Sequence, residues 1–177
     1  MLKRSTISIL LSVLILLPNF ARAENQSVDT QAIESSSILN LRKHENNVFT
    51  GGQPTTEQLR ILAQSGIKHV VNLRTLQEQS WHEGEFVQSL GVQYHSLPIS
   101  GAIDVTSENA AKLARLLSDI EGQGVLLHCA SGNRVGALVA VSARDSENMG
   151  VEEAVSKGKL WGLTGLEDFV RIKLSGN

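Results

Sequence analysis

Six consecutive residues, Cys129-Ala130-Ser131-Gly132-Asn133-Arg134, hold most of the reactive chemistry of this chain. Directly before them runs Val125-Leu126-Leu127-His128, and directly after them an apolar stretch from Val135 to Val141. A thiol at the end of a buried strand then faces the amino end of a helix, where unpaired N–H groups and the helix dipole converge on an anion. Such a field favours the thiolate, the nucleophilic form, over the thiol. Gly132 permits the backbone to turn successive N–H groups inward as an anion nest. Arg134 supplies a planar fork matched to two oxygens of a tetrahedral oxyanion. Cys129 is therefore the predicted nucleophile, and Ala130, Ser131, Gly132, Asn133 and Arg134 the predicted anion-binding residues. Arg134 is expected to face the anion and to carry little of the fold's stability.

The elements that must position this segment follow from periodicity. Asn47 to Thr50 reads as a short strand ending at Gly51-Gly52. Thr55 and Gln58 form a capping box for a helix with Leu59, Leu62 and Ala63 on one face, stopped at Gly66. Ile67 to Leu73 is a continuous apolar strand, and Phe86, Val87 and Leu90 mark a second helix that ends at Gly91. Val92 to Leu97 is the next strand, and Pro98 to Val105 a loop. Thr106 or Ser107 caps a longer helix with Leu113, Leu116, Leu117 and Ile120 on its buried face. After the Cys segment, helices are predicted near Val151–Trp161 and Leu166–Leu174. Strands alternating with helices imply an α/β fold with a mostly parallel central sheet of about four to five strands. Ligands of such sheets bind at the carboxyl ends of the strands, where Cys129 sits.

The chain has 177 residues, a net charge of −2 and one cysteine. That excludes an internal disulfide and a four-thiolate zinc site. The absence of a basic excess argues against nucleic-acid binding. At the start, Lys3 and Arg4 precede an apolar run from Ile7 to Leu17 and the small-x-small site Ala21-Arg22-Ala23. This is the pattern of a secretory signal peptide over residues 1–23, and the run is too short for a membrane span. Residues 24–36 are polar and aperiodic and read as a flexible lead-in, leaving 37–177 as one domain. The expected product is exported, periplasmic or secreted, with no stable membrane insertion after cleavage. No cofactor is expected. The five histidines show no paired ligand spacing, so no metal is expected either. Trp81 and Trp161 read as packing residues.

His128-Cys129-x-x-Gly132 followed by Arg134 resembles the phosphate loop of cysteine-dependent phosphatases, especially the dual-specificity group. The wider pattern is more specific: Phe49-Thr50-Gly51-Gly52-Gln53-Pro54, then Gly66-Ile67-Lys68-His69-Val70-Val71-Asn72-Leu73-Arg74, then Leu97-Pro98 and the Cys loop. It resembles the bacterial beta-lactamase-hydrolase-like protein phosphatase family, over roughly Leu39 to Leu174. The resemblance implies a three-layer phosphatase-like α/β fold and hydrolysis of a phosphorylated protein or small molecule. It also implies Cys129 as nucleophile and Arg134 as phosphate ligand. The family keeps its proton donor on the loop between Pro98 and Ser107, where Asp104 is the only acid. Asp104 could equally serve the turn before the next helix, and Glu78 is a weaker second candidate for the acid.

Two departures keep other readings open. Phosphatases of this kind usually place five residues between Cys and Arg, and this chain has four. Four is the spacing of many rhodanese-type sulfurtransferases, which carry a cysteine persulfide. Val135 follows Arg134 where a hydroxyl residue is usual. A non-catalytic module that binds a phosphoprotein or another anion is the third reading.

Overall fold

The computed structural model describes residues 27–176, so the expected leader at residues 1–23 lies outside the described residues. Five strands form one sheet: β1 (Arg42–Lys43), β2 (Val48–Gly51), β3 (Ile67–Asn72), β4 (Gln93–Ser96) and β5 (Gly124–His128). Their order is β1-β2-β5-β3-β4. Only β1 runs antiparallel to its neighbour, and the remaining pairs are parallel. β5 is central and all five of its residues are buried, which explains its unbroken apolar run.

Among the described residues, seven α-helices cover the sheet: α1 (Thr30–Ser35), α2 (Thr56–Gln64), α3 (Glu83–Ser89), α4 (Ser107–Asp119), α5 (Asn133–Ser146), α6 (Val151–Leu160) and α7 (Glu167–Ser175). Alternate strand residues feed two cores. Leu126, Val70 and Phe49 pack with Ile33, Leu59, Leu62 and Val87 from α1 to α3. Val125, Leu127 and Val71 pack on the other side with Leu113, Leu138, Ala154 and Val170 from α4 to α7. The result is the mostly parallel α/β arrangement that the alternation of elements predicts, in the three layers that the family resemblance implies.

The capping box at Thr55 is present: Thr55 Oγ1 accepts from the Gln58 amide, and Gln58 Oε1 accepts from the Thr55 amide. Thr106 caps α4 through the Asn109 amide. The flexible lead-in is overturned from Asp29 onward. Asp29 caps α1, and Ile33 is fully buried against α2, so one apolar residue anchors a six-residue helix in a polar stretch. β1 is a two-residue edge strand that no sequence periodicity marks. Packing behind the Cys segment is unusually close. A Cβ at Gly136 would lie 2.0 Å from the Leu163 amide nitrogen and 2.5 Å from the Gly158 carbonyl oxygen, so α5 meets α6 backbone to backbone.

Candidate active site

β5 runs directly into Cys129, and Gly132 caps α5 with φ 91°, in the left-handed region that favours glycine. Three other parts of the chain hold the intervening loop. The Ala130 carbonyl accepts from the Gln53 amide at 3.3 Å, and the Ser131 carbonyl from Asn40 Nδ2 at 3.1 Å. Asn133 Oδ1 accepts from the amides of Thr164 (2.8 Å) and Leu166 (3.3 Å) in the turn between α6 and α7. In a trans peptide the C=O and N–H point opposite ways, so outward carbonyls at 130 and 131 turn the amides of Ser131 and Gly132 inward. The Gly132 amide indeed donates to Cys129 Sγ at 3.2 Å. Cys129 itself is buried, with 1% of its surface exposed.

Arg134 follows on the first turn of α5. Its Nη1 and Nη2 donate to the two carboxylate oxygens of Glu78 at 2.8 and 2.6 Å, and Nη1 also donates to the Ile99 carbonyl at 2.5 Å. These bonds leave Nε–H and one Nη2–H, the side of the fork that suits two oxyanion oxygens. Arg134 is held in its charged form chiefly by Glu78, with Cys129 Sγ as a further hydrogen-bonding and electrostatic partner. It therefore does more than face an anion. Only 8% exposed, it also ties the loops after β3 and β4 to α5, which corrects the expectation that it carries little stability.

Glu78 is held down to about 2, first by the hydrogen bonds from Arg134 and, against partial desolvation, by the Thr75 amide. It is thus an ionised anchor for Arg134, and the weaker reading of Glu78 as a proton donor is corrected on that ground. Asp104 lies in the short turn Ala102–Asp104. Its carboxylate accepts from the Ser100 amide at 2.8 Å and the Ser100 hydroxyl at 2.5 Å, and these bonds, the hydroxyl's first, hold it below the usual carboxylate range. No hydrogen bond or ion pair found among the described residues joins Asp104 to Cys129 or Arg134. The structure brings Cys129, Gly132 and Arg134 together and leaves Asp104 in its own turn.

Beneath the loop lies a polar ring that sequence reasoning missed. Arg74 donates to the Glu78 backbone carbonyl and, at 2.5 Å, to Gln53 Oε1. Gln53 Nε2 donates to Glu83 Oε2 at 2.8 Å, and Asn72 Nδ2 to the same oxygen at 3.2 Å and to Tyr94 Oη at 2.9 Å. Glu83 Oε1 lies 2.7 Å from His128 Nε2, and both side chains are buried. The chain of contacts thus leaves Arg134 through Glu78 and returns, through Glu83 and His128, to the residue before Cys129. Gln53, Asn72 and Arg74 belong to the quoted family pattern, which was the one signal that could have singled them out.

The remaining singled-out residues pack. His44 stacks on Trp161 with ring centroids 4.0 Å apart, and Trp81 meets Phe86 edge-on. Burial beside Arg42 holds His44 down to about 4. No described helix is long and apolar enough to cross a membrane.

Known proteins resemble this chain in sequence and fold. The family described as a DSP-PTPase phosphatase fused to NAD+ kinase matches residues 13–164. A beta-lactamase hydrolase-like protein of Xylella fastidiosa (strain Temecula1) is 28% identical over 116 residues, 63% of this chain and 26% of the relative. The chain thus spans about a quarter of that curated relative's length. A candidate phosphatase from Neisseria meningitidis Z2491 superposes with a TM-score of 0.60 at 25% identity, covering 77% of this chain and 96% of that one. TpbA of P. aeruginosa shares the fold at TM-score 0.61 and 19% identity, covering 78% and 85% of the two chains. A cysteine-to-serine form of TpbA has been solved with phosphotyrosine.

Proposed function

The chain belongs to the family described as a DSP-PTPase phosphatase fused to NAD+ kinase, and from that premise we propose that it is an exported hydrolase of phosphate monoesters. Cys129 is the nucleophile. The amides of the loop and the free edge of Arg134 bind the phosphoryl oxygens and hold them as the group flattens in transfer. The phosphocysteine that forms is then hydrolysed by water. The observation that carries this reading is the meeting of three features at one sulfur: an inward loop amide on Sγ, the start of α5, and a guanidinium fixed by Glu78. A phosphotyrosine complex of a relative with the same fold makes a phosphorylated protein a reasonable substrate, alongside small phosphate esters.

The test is hydrolysis of a small aryl phosphate, with Cys129→Ser as control and intact mass to detect the phosphoryl group on Cys129. Turnover equal to that of Cys129→Ser, with no protection of the thiol by vanadate, removes the reading. The four-residue spacing between Cys129 and Arg134 favours a second one, sulfur transfer through a persulfide. Incubation with thiosulfate and mass analysis would show one added sulfur on Cys129. Export is tested by finding the mature protein outside the cytoplasm with Glu24 as its first residue.

A further inference from the structure

We infer that Asn40, an exposed residue 91 positions before Ser131, is a positioning residue for the Cys129 nucleophile: its side chain holds the Ser131–Gly132 peptide with the carbonyl outward and the N–H on the sulfur. Its effect on the thiol rests on geometry alone, and its effect on turnover rests on the phosphatase reading above. Asn40 Nδ2 donates to the Ser131 carbonyl at 3.1 Å, and the Gly132 amide donates to Cys129 Sγ at 3.2 Å. The two are opposite faces of one peptide unit, so fixing the carbonyl fixes the direction of the N–H. A carbonyl oxygen only accepts, which assigns the NH2 end of the Asn40 amide to it.

The loop needs such an anchor at this peptide. N–H groups aimed at one point repel one another until an anion fills the space between them. Turning a peptide over, carbonyl inward, relieves that repulsion and spoils the site. The Ser131–Gly132 unit is the one best able to turn, because Gly132, at φ 91°, has no Cβ to resist the rotation. The glycine that lets the loop form a nest also lets it come undone, and the bond from Asn40 opposes that.

The chain around Asn40 is shaped to aim it. Asn40 has φ 54°, a left-handed backbone that asparagine and glycine adopt most readily. Its own carbonyl accepts from Arg42 Nη1 at 2.9 Å, and the Leu39 carbonyl accepts from the Gly52 amide at 2.7 Å. Gly52 in turn pairs with Ser131 as an isolated antiparallel bridge. A Cβ at Gly52 would lie 2.9 Å from the Ala130 carbonyl oxygen and 3.1 Å from Leu39 Cβ, so the turn at Leu39–Asn40 is packed close against the loop. Glycine would serve the turn equally well, whereas the bond to Ser131 needs the amide.

The test compares the full chain with Asn40→Gly and Asn40→Asp by iodoacetamide alkylation across pH. Asn40→Gly keeps the left-handed turn and removes the donor, and its pH of half-maximal alkylation should rise by about half a unit to one unit, the equivalent of one lost hydrogen bond. Asn40→Asp keeps the shape but sets an oxygen against the Ser131 carbonyl, and should shift at least as far. Hydrogen exchange read by NMR should show the Gly132 amide less protected in both variants, by about 3- to 10-fold, with β5 and the rest of α5 unchanged. On nitrophenyl phosphate kcat/KM should fall by about 3- to 10-fold. An Asn40→Gly or Asn40→Asp profile that overlies that of the unsubstituted chain overturns the inference and leaves Asn40 a turn residue. A shift with protection lost throughout β5 and α5 overturns it equally, because the fold and not one peptide has then loosened. Shifted alkylation with no ester hydrolysed by any form above the Cys129→Ser level upholds the positioning role and removes the phosphatase reading.

Discussion

Two buried histidines lie at opposite ends of the same sheet and lead different lives. His128 closes β5 at the carboxyl end, 2.7 Å from the buried Glu83 carboxylate and one residue from Cys129. His69 lies near the start of β3, with Nε2 2.8 Å from Gln123 Oε1 and Nδ1 3.0 Å from His95 Nε2. An amide oxygen only accepts, so Nε2 of His69 carries the proton and Nδ1 accepts from His95, a tautomer assigned from the network. That end is satisfied, with no reactive group beside it. At the carboxyl end, ionisable partners are linked in a chain that ends beside the Cys129 thiol. Burial of a histidine says nothing of chemistry by itself, and the charge and reach of its partners decide.

Breaking the charged end should have the larger consequences. Arg134→Lys keeps the charge but loses the fork, and should lower kcat/KM on an aryl phosphate by about two to four powers of ten. Because Arg134 also bonds Glu78 and the Ile99 carbonyl, the variant should lose about 1–3 kcal/mol of unfolding free energy as well, measured by urea titration. Unchanged stability would mean the guanidinium serves the anion alone. Glu83→Ala strands His128, Gln53 and Asn72 and should cost about 3–5 kcal/mol, whereas Glu83→Gln, which keeps an acceptor, should cost less.

Acid sharpens the contrast. His95 is lowered by burial and by His69, so its folded form resists a proton that the unfolded chain accepts. Stability from that end should be lost as pH falls below 6.5, the ordinary histidine value. Glu78, at about 2 against an ordinary 4.5, stabilises fully above 4.5 and loses that contribution only as pH falls toward about 2. Thermal midpoints against pH should therefore show the early loss reduced in His95→Gln, with half-buried His44, held down to about 4, keeping its own share, and the late loss reduced in Glu78→Gln. The smallest effect should be Gln123→Ala, near 1 kcal/mol with turnover intact, since it removes one neutral hydrogen bond far from Cys129.

What the sequence made legible was local. The Thr55–Gln58 box, the stop at Gly66 and the Cys129–Arg134 segment each lie within a few residues, where spacing is itself geometry. Glu83 was invisible for the opposite reason. In sequence it is an acid in the first turn of α3, an ordinary surface position, and its partners Gln53 and His128 are 30 and 45 residues away. Asp104 was legible as a position but not as a role, because the choice between turn and catalysis depends on Ser100. α1 hid because one buried isoleucine makes no period, and β1 because two residues cannot alternate.

The chain carries a single sulfhydryl, and it is the one that accepts from the Gly132 amide at the start of α5. A small thiol-directed alkylating reagent, compact enough to reach a buried sulfur, would therefore label one atom without any engineering of the protein. Its labelling rate in the presence of an unlabelled ester would count how often the anion loop is occupied. The protein comes with its own occupancy gauge, and any screen for its natural ligand can be run on label uptake alone, with no need to know in advance what product to look for.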